Sequence, residues 1–432
     1  MTDTSITPTR ERIASLDIIR GVAVMGIFSV NVVAFAMIFP AYMNPGAYGG
    51  YRGENLAIWL ANYVIIDGKM RALFSMLFGA SMLLVIERAE AAGQSAKSVH
   101  YRRMIVLLLF GLLHFYVIWF GDILALYALI GMVAFLFRKR ATKTMLVWAT
   151  TLLLLTTLMF SGASYQLRQF DIAAHAPTAA AKDIKQWNGM AGFAVQSEAK
   201  NVEETRIALG PLGERAKHML TERGAEPIMS ALGFGLPTLA LMLFGMAGYR
   251  SGFLTGDWSL VRYRRIAIWT LGIGALATLG LGLWVASSNF YIPLIMFAFL
   301  GLGGPIQLAM AFGYAALIIL LARGGGRLAG RFAAVGRTAF TNYLGTSIVA
   351  TLIFYGDGLG LFGQVSRFEA WLVVPFVWAL MLLWSKPWLD RFRYGPFEWA
   401  WRSLARWELQ PMRKSAPLNV SAESAPARVE AL

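Results

Sequence analysis

Two ionisable residues stand where ionisable residues are expensive. The run YRRMIVLLLFGLLHFYVIWFGDILALYALIG, residues 101–131, is apolar enough for two membrane spans back to back, yet carries His114 in its first half and Asp122 at the turn between them. An imidazole in hydrocarbon faces a cavity or a partner, and a neutral imidazole is suited to general-base work near pH 7. His114 lies eleven residues past Arg103, about 16 Å into a helix rising 1.5 Å per residue. Asp122 follows eight residues later, on roughly the same helical face. On a straight helix that places it about 12 Å from His114, too far for a direct dyad unless the helix bends. Directly after Gly121, Asp122 is also placed to cap residues 123–126.

Three further groups could carry chemistry. Asp17 and Arg20 are three apart and share a face, so they pair near one end of the first span or line a polar cavity where Arg20 meets an anion. Asn31 looks out along the same stripe. Asp67, Lys69 and Arg71 put three charges into five residues, which cannot all face lipid; a Lys and an Arg beside an Asp suit a phosphate or carboxylate. Arg337, Thr338, Thr341, Asn342 and Tyr343 give a later span a polar opening, and Asn342 needs a partner inside an apolar helix. GLGGP at 301–305 interrupts another span, and broken helices are where transporters build binding sites. Gly272, Gly274, Gly280 and Gly282 read as close helix packing. Glu87, Glu90, His100, His175 and His218 fall at loops or boundaries and read as solvated.

The elements that must position these residues are membrane helices. Of 432 residues 57% are apolar and 15% charged, where a soluble domain has about 25% charged. Apolar segments longer than about 18 residues recur along the chain, each enough to cross a roughly 30 Å hydrocarbon core. The net charge of +15 sits in clusters between spans, where it sets orientation and meets membrane lipids, and nucleic acid drops out as a partner. Cysteine is absent, which removes disulfide and zinc-thiolate chemistry; no metal is expected. No cleavable signal is evident, and the first apolar stretch reads as a retained span.

Taken in order, spans are expected at 13–39, 55–87, 104–120, 123–137, 144–160, 228–249, 266–286, 291–321, 338–355 and 370–389. The second should break at Asp67–Gly68, and only two or three residues should turn the third into the fourth. Every second connection is basic, including the loop expected at 323–337, while the others are neutral or charge-balanced; this places both termini on the cytoplasmic side. The fold class is an all-α polytopic membrane protein of about ten transmembrane helices, divided as 1–160, 161–227, 228–395 and 396–432. Residues 161–227 form an extracytoplasmic helical excursion with eight basic and eight acidic residues. Residues 396–408, with Trp399, Trp401 and Trp407 among Arg402 and Arg406, read as an interfacial helix, and the tail beyond Gln410 as disordered.

The segments RIASLDIIRGVAVMGIFSVN, GKMRALFSMLFG, GLLHFYVIWFGDILALYALIG, GRTAFTNYLGTS and GPFEWAWRSL resemble the YeiB-like family of bacterial inner-membrane proteins, over nearly the whole chain except 161–227. The opening LDIIRG is similar to that of a wider superfamily of transmembrane acyltransferases, which includes lysosomal heparan-glucosaminide acetyltransferase. That resemblance carries over residue by residue for Asp17, Arg20 and Gly21. It implies a cytoplasmic acyl-CoA as co-substrate, a catalytic histidine within the bundle, for which His114 stands, and a hydroxyl or amino acceptor reached from the other side. The acceptor would be a small molecule or a glycan or lipid-linked group. In this reading His114 works with Asp122 and Asp17, Arg20, Lys69 and Arg71 hold CoA phosphates, and Asn31, Asp67 and Asn342 face the acceptor; a homodimer stays open. The alternative is a small-metabolite transporter or exporter built on the Asp67/Lys69/Arg71 cluster and the broken eighth span. A third is a scaffold or sensor acting through 161–227.

Overall fold

The structure, a computed structural model, describes residues 9–192 and 194–414, with side chains from residue 14 onward. Its helices are α1 (Thr9–Ala36), α2 (Gly53–Ile65), α3 (Lys69–Ala91), α4 (Ala96–Leu113), α5 (Leu124–Ala134), α6 (Thr142–Ala174), α7 (Ala181–Ala191), α8 (Glu198–Leu209) and α9 (Leu212–Glu222). They continue with α10 (Glu226–Arg250), α11 (Leu260–Ser287), α12 (Ile292–Met296), α13 (Gly303–Ala322), α14 (Arg327–Arg337), α15 (Ala339–Phe354), α16 (Arg367–Arg391) and α17 (Pro396–Arg406). Eight segments among the described residues are long and apolar enough to cross a membrane. Two shorter apolar helices, Leu124–Phe137 and Ala339–Phe354, fall where the fourth and ninth spans are expected.

Burial separates centre from rim. In α1 78% of the apolar stretch is buried, against 22% in α6, so α1 is the axis and α6 lies outside. A helix apolar all round must be surrounded by other helices or by lipid. α1 is packed by α3, α13, α14, α15 and α16, whereas α6 and α11 expose Leu154, Leu158, Trp269 and Leu276. Apolar surface that extensive is tolerated against hydrocarbon, and the chain is a polytopic membrane protein. Close helix approach depends on missing side chains: a Cβ on Gly336 of α14 would fall 1.8 Å from the Asp17 carbonyl oxygen, and one on Gly21 2.2 Å from that of Phe332. α3 and α10 meet the same way at Gly79 and Gly245.

Three interruptions shape the interior. The expected break at 67–68 is present: Gly68 takes φ +72°, which a glycine adopts without cost, and Asn62 O accepts from both Ile66 N and Asp67 N. The eighth span is kinked by a π turn at Phe297–Gly301; its freed carbonyls are taken internally, by Tyr63 Oη at 2.9 Å to Ala298 O and Gln307 Nε2 at 3.1 Å to Phe299 O. The third interruption is a π turn at His114–Ile118.

The two ends of the bundle differ. At one, Arg250 bridges Glu87 and the carbonyls of Arg138 and Arg140, gathering the basic connections. At the other, the excursion of α7, α8 and α9 lies back over the bundle. Its ties are Phe39 N to Glu204 Oε1 at 2.8 Å, Asn44 Nδ2 to Ala194 O at 2.9 Å, Tyr116 Oη to Gly224 O at 2.6 Å and the Arg215–Asp357 ion pair.

Several expectations are corrected. The segment expected as a basic loop at 323–337 is largely helix α14, because its small residues let it lie against α1. The fifth span does not end at 160: α6 continues to Ala174. His100 is buried rather than solvated, bonding Gly131 O at 3.0 Å and stacking on Phe135. Beyond Gln410, residues 411–414 are held to the end of α16 through Arg393 N to Met412 O and Lys414 N to Arg391 O; the rest of that expected disorder, from 415, lies outside the described residues.

Candidate active site

The separation expected between His114 and Asp122 is overturned by the π turn. Widening the last turn of α4 directs Trp119 N back to His114 O at 2.8 Å, after which the chain leaves helical geometry and reverses through residues 119–123. The turn is thus five residues long, not two or three. His114 Nδ1 stands 3.0 Å from Asp122 Oδ1, with side chains 0% and 1% exposed. Straight-helix spacing failed because the two residues are not on one helix.

Every partner of the carboxylate is fixed. Asp122 Oδ2 accepts from Ala125 N at 2.7 Å, so the aspartate caps α5 as its position after Gly121 suggested. Tyr343 of α15 pins the same turn, its hydroxyl donating to Gly121 O at 3.2 Å and accepting from Ile123 N at 3.3 Å. Its ring lies 5.3 Å from that of His114. Trp119 stacks on Phe35 of α1 at 3.9 Å and approaches His114 edge-on. A carboxylate can only accept, so the shared proton belongs on Nδ1 and the Nε2 lone pair is left open. Nε2 is buried and has no hydrogen-bond partner among the described residues.

Three cavities lie along this turn, one of them lined by Asp122. A chamber of about 460 Å³ is lined by Asn31, Tyr42, Trp119, Asp122, Arg223 and Glu226, among others. It shares Asn31, Tyr42, Gly121 and Ile123 with a side chamber of about 90 Å³ that Asp67, Arg71 and Tyr343 also line. Towards the excursion it shares Phe120, Arg223 and Glu226 with a vestibule of about 450 Å³, whose walls include Lys200, Glu203, Arg215 and His218. Hydrogen bonds from Arg206 hold the Glu203 carboxyl there below its ordinary range. Between vestibule and chamber, Arg223 pairs with Glu226 at 2.5 and 2.8 Å and lies 4.7 Å over the Phe120 ring.

Asp122, Asn31, Asp67 and Arg71 therefore line joined cavities, while His114 is not on their walls and adjoins them through its bond to Asp122; four others are not brought to this place. Asp17 and Arg20 pair at 2.9 Å near the basic end, where Arg20 also donates to Ser81 Oγ at 2.6 Å and Gly336 O at 3.4 Å. Arg20 is eleven residues from Asn31 along α1, about 16 Å. Lys69 is fully buried, its Nζ donating to Tyr63 O. Asn342 is satisfied on both sides, donating to Val335 O, Thr338 Oγ1 and Ser385 Oγ and accepting from Trp384 Nε1. Trp119 is a residue the sequence argument did not select, and Tyr343 was named there only in the polar opening of its span; for Tyr343 the usable signal was that a buried hydroxyl needs a polar partner, whereas the buried Trp119 indole N–H has none among the described residues.

The family model described as a protein of unknown function, DUF418, matches residues 248–408. The chain is 34% identical over 420 residues to the uncharacterized protein YxaH of Bacillus subtilis strain 168, covering 94% of this chain and 98% of that one. To the uncharacterized protein YeiB of Escherichia coli strain K12 it is 31% identical over 409 residues, covering 91% and 96%. An uncharacterized 39.9 kDa protein of Bacillus acidopullulyticus is 24% identical over 417 residues, covering 91% and 94%. No solved structure matches. With similarity above 30% along nine-tenths of its length, this membrane protein belongs to the YeiB-like family.

Proposed function

We propose that this chain is an acyltransferase of the bacterial inner membrane, moving an acyl group from a cytoplasmic acyl-CoA to a hydroxyl or amino acceptor, with His114 as general base. The observation that carries the reading is the buried His114–Asp122 pair at 3.0 Å with an unpartnered Nε2. A carboxylate on Nδ1 fixes the tautomer and stabilises the imidazolium that forms when Nε2 takes a proton. In the transfer step the acceptor's O–H or N–H proton passes to Nε2 and its oxygen or nitrogen bonds the thioester carbonyl carbon. The C–S bond then breaks, and the departing CoA sulfur takes the proton back from His114. General-base catalysis of this kind is worth about 10²–10⁴ in rate. A short-lived acyl group on Nε2 fits the same geometry.

Sidedness supports a division of labour. The basic connections gather at one end, which the positive-inside rule assigns to the cytoplasm together with both termini, and the vestibule opens beneath the excursion at the other. The acceptor therefore comes from the vestibule, past Arg223 and Phe120. Asn31, Asp67 and Arg71 line the chambers in which the acceptor and acyl group would meet. A transporter draws less support, since the carbonyls freed in the kinked eighth span are bonded to Tyr63 and Gln307.

The test is calorimetry of acetyl-CoA and free CoA on the purified chain in nanodiscs. Micromolar binding retained in His114→Gln, with transfer lost, is the expected outcome. A well-folded sample that binds neither compound would overturn the CoA-dependent reading.

A further inference from the structure

We infer that the basic end of the bundle carries a binding site for a phosphate-bearing anion, formed by Arg103, Arg337, Arg402 and Arg406 where α1, α4, α14 and α17 meet, with Arg20, whose terminal nitrogens are held by Asp17, Gly336 and Ser81, adding its charge. For a soluble phosphate ester the inference rests on the acyl-CoA reading, since the basic end is where that reading brings the donor; for a lipid headgroup it is independent of it, and in both cases it uses none of the residues around His114.

The five arginines are tied into one place by their neighbours. Arg20 donates to the carbonyl of Gly336, the residue before Arg337. A few residues on, the start of α15 is held by Glu398 of α17, whose carboxylate accepts from Phe340 N at 2.7 Å, Thr341 N at 3.0 Å and Thr341 Oγ1 at 2.5 Å. Arg402 and Arg406 follow Glu398 at successive four-residue steps, along one face of α17. Trp401 donates its indole N–H to Arg103 O at 2.9 Å, and the Arg103 guanidinium lies 4.1 Å over the Trp401 ring. Electrostatically the group acts as a unit: Arg402 feels Arg406 and Arg20, Arg103 feels Arg402 and Arg406, and Asp17 feels Arg20, Arg337 and Arg402.

Compensation is incomplete. Among the described residues five guanidinium groups face three carboxylates, Asp17, Glu398 and Asp390; Glu398 is already committed to the α15 backbone and Asp390 to Lys386, while Arg406 donates to Gln410 Oε1 at 2.7 Å. The Nε of Arg402 is buried with no hydrogen-bond partner among the described residues. Arg103 and Arg402 rest their faces on Trp401 and Tyr394, at 4.1 and 4.7 Å. A stacked guanidinium keeps its in-plane N–H donors for another ligand. Several such forks with surplus positive charge match the tetrahedral oxygens and multiple charge of a phosphate or pyrophosphate.

That chemistry has two sources, a soluble phosphate ester reaching the site from water and the headgroup of an anionic lipid, and the experiment separates them. The full chain in phosphatidylcholine nanodiscs is titrated with pyrophosphate and with adenosine 3′,5′-bisphosphate at low and high salt. In parallel, native mass spectrometry of the chain from phosphatidylglycerol membranes counts retained lipid. Binding that weakens with salt and falls about tenfold or more in Arg337→Gln and Arg402→Gln, but not in Arg327→Gln elsewhere on α14, supports a soluble phosphate ligand. Phosphatidylglycerol retained by the parent chain and lost from the same two variants, with no binding of the soluble probes, supports the lipid source. If Arg402→Gln fails to fold, the exposed Arg337 and Arg406 supply the variants instead. Binding of neither class, or binding indifferent to these substitutions, overturns the inference.

Discussion

Replacing Asp122 with asparagine changes one atom and reverses the logic of the dyad. Asp122 accepts from His114 Nδ1 at 3.0 Å and from Ala125 N at 2.7 Å, and its side chain is 1% exposed. Asparagine can keep the bond from Ala125 through its oxygen, but its NH₂ then donates towards His114, whose Nδ1 must become an acceptor with its proton on Nε2. The group that should take the acceptor's proton is then already protonated. In a comparable His–Asp arrangement the wrong tautomer costs about 10⁴ in rate, so a loss of roughly 10³–10⁴, or about 4–5.5 kcal/mol of transition-state stabilisation, is expected. Stability should suffer less: a hydrogen bond to a charged group contributes about 1.5–3 kcal/mol, and part of it is replaced. The assay pairs thiol release from acetyl-CoA with thermal unfolding in the same nanodiscs. ¹⁵N-histidine NMR then reads the tautomer directly in a chain with four histidines. Transfer within about threefold of the parent, in a sample whose His114 tautomer has switched, would refute the reasoning.

Other substitutions probe what surrounds the dyad. Trp119→Ala removes the ring stacked on Phe35; a cost of about 3–5 kcal/mol is expected, with faster carbethoxylation of His114 by diethyl pyrocarbonate, read by peptide mass spectrometry. An unchanged modification rate would show that Trp119 does not shield the imidazole. Gly336→Ala places a Cβ 1.8 Å from the Asp17 carbonyl and should destabilise the bundle by about 1–3 kcal/mol or more. Gly304→Ala, with open space around it, should leave the unfolding temperature unchanged or raised. Arg223→Ala removes the side chain lying over Phe120. Because the chain has no cysteine, an Asn31→Cys probe reports chamber access alone, and maleimide should label it several-fold faster in the Arg223→Ala background.

The helices and their order were legible because hydrocarbon leaves few choices: a long apolar run flanked by arginines can do little except cross. The break at Asp67–Gly68 was legible for the same reason, since charges in mid-span need a turn or a partner. The meeting of His114 with Asp122 was not, because a π turn leaves no mark in composition, and an eight-residue spacing means different things on a straight and on a reversed chain. Arg20 and Asn342 looked available in sequence and are occupied in the fold, Arg20 by Asp17 and Ser81 and Asn342 by Thr338, Ser385 and Trp384. Hydrogen-bond satisfaction is a tertiary property, and a list of polar residues does not contain it. The amphipathic α14 was masked by its four flanking and internal arginines, which read as a loop until Gly21 and Gly336 are seen face to face.

The most direct measurement is single-turnover acyl transfer by the parent chain and by His114→Gln in sealed, oriented proteoliposomes, with [1-¹⁴C]acetyl-CoA on the basic side and candidate amines and sugars on the excursion side. Glutamine retains much of the volume and supplies no base. Label appearing on an acceptor with the parent chain, and reduced by about 10²-fold or more in His114→Gln at equal acetyl-CoA binding, is the expected result. Transfer that proceeds equally well in the folded, donor-binding His114→Gln chain would contradict the assignment of His114 as the base.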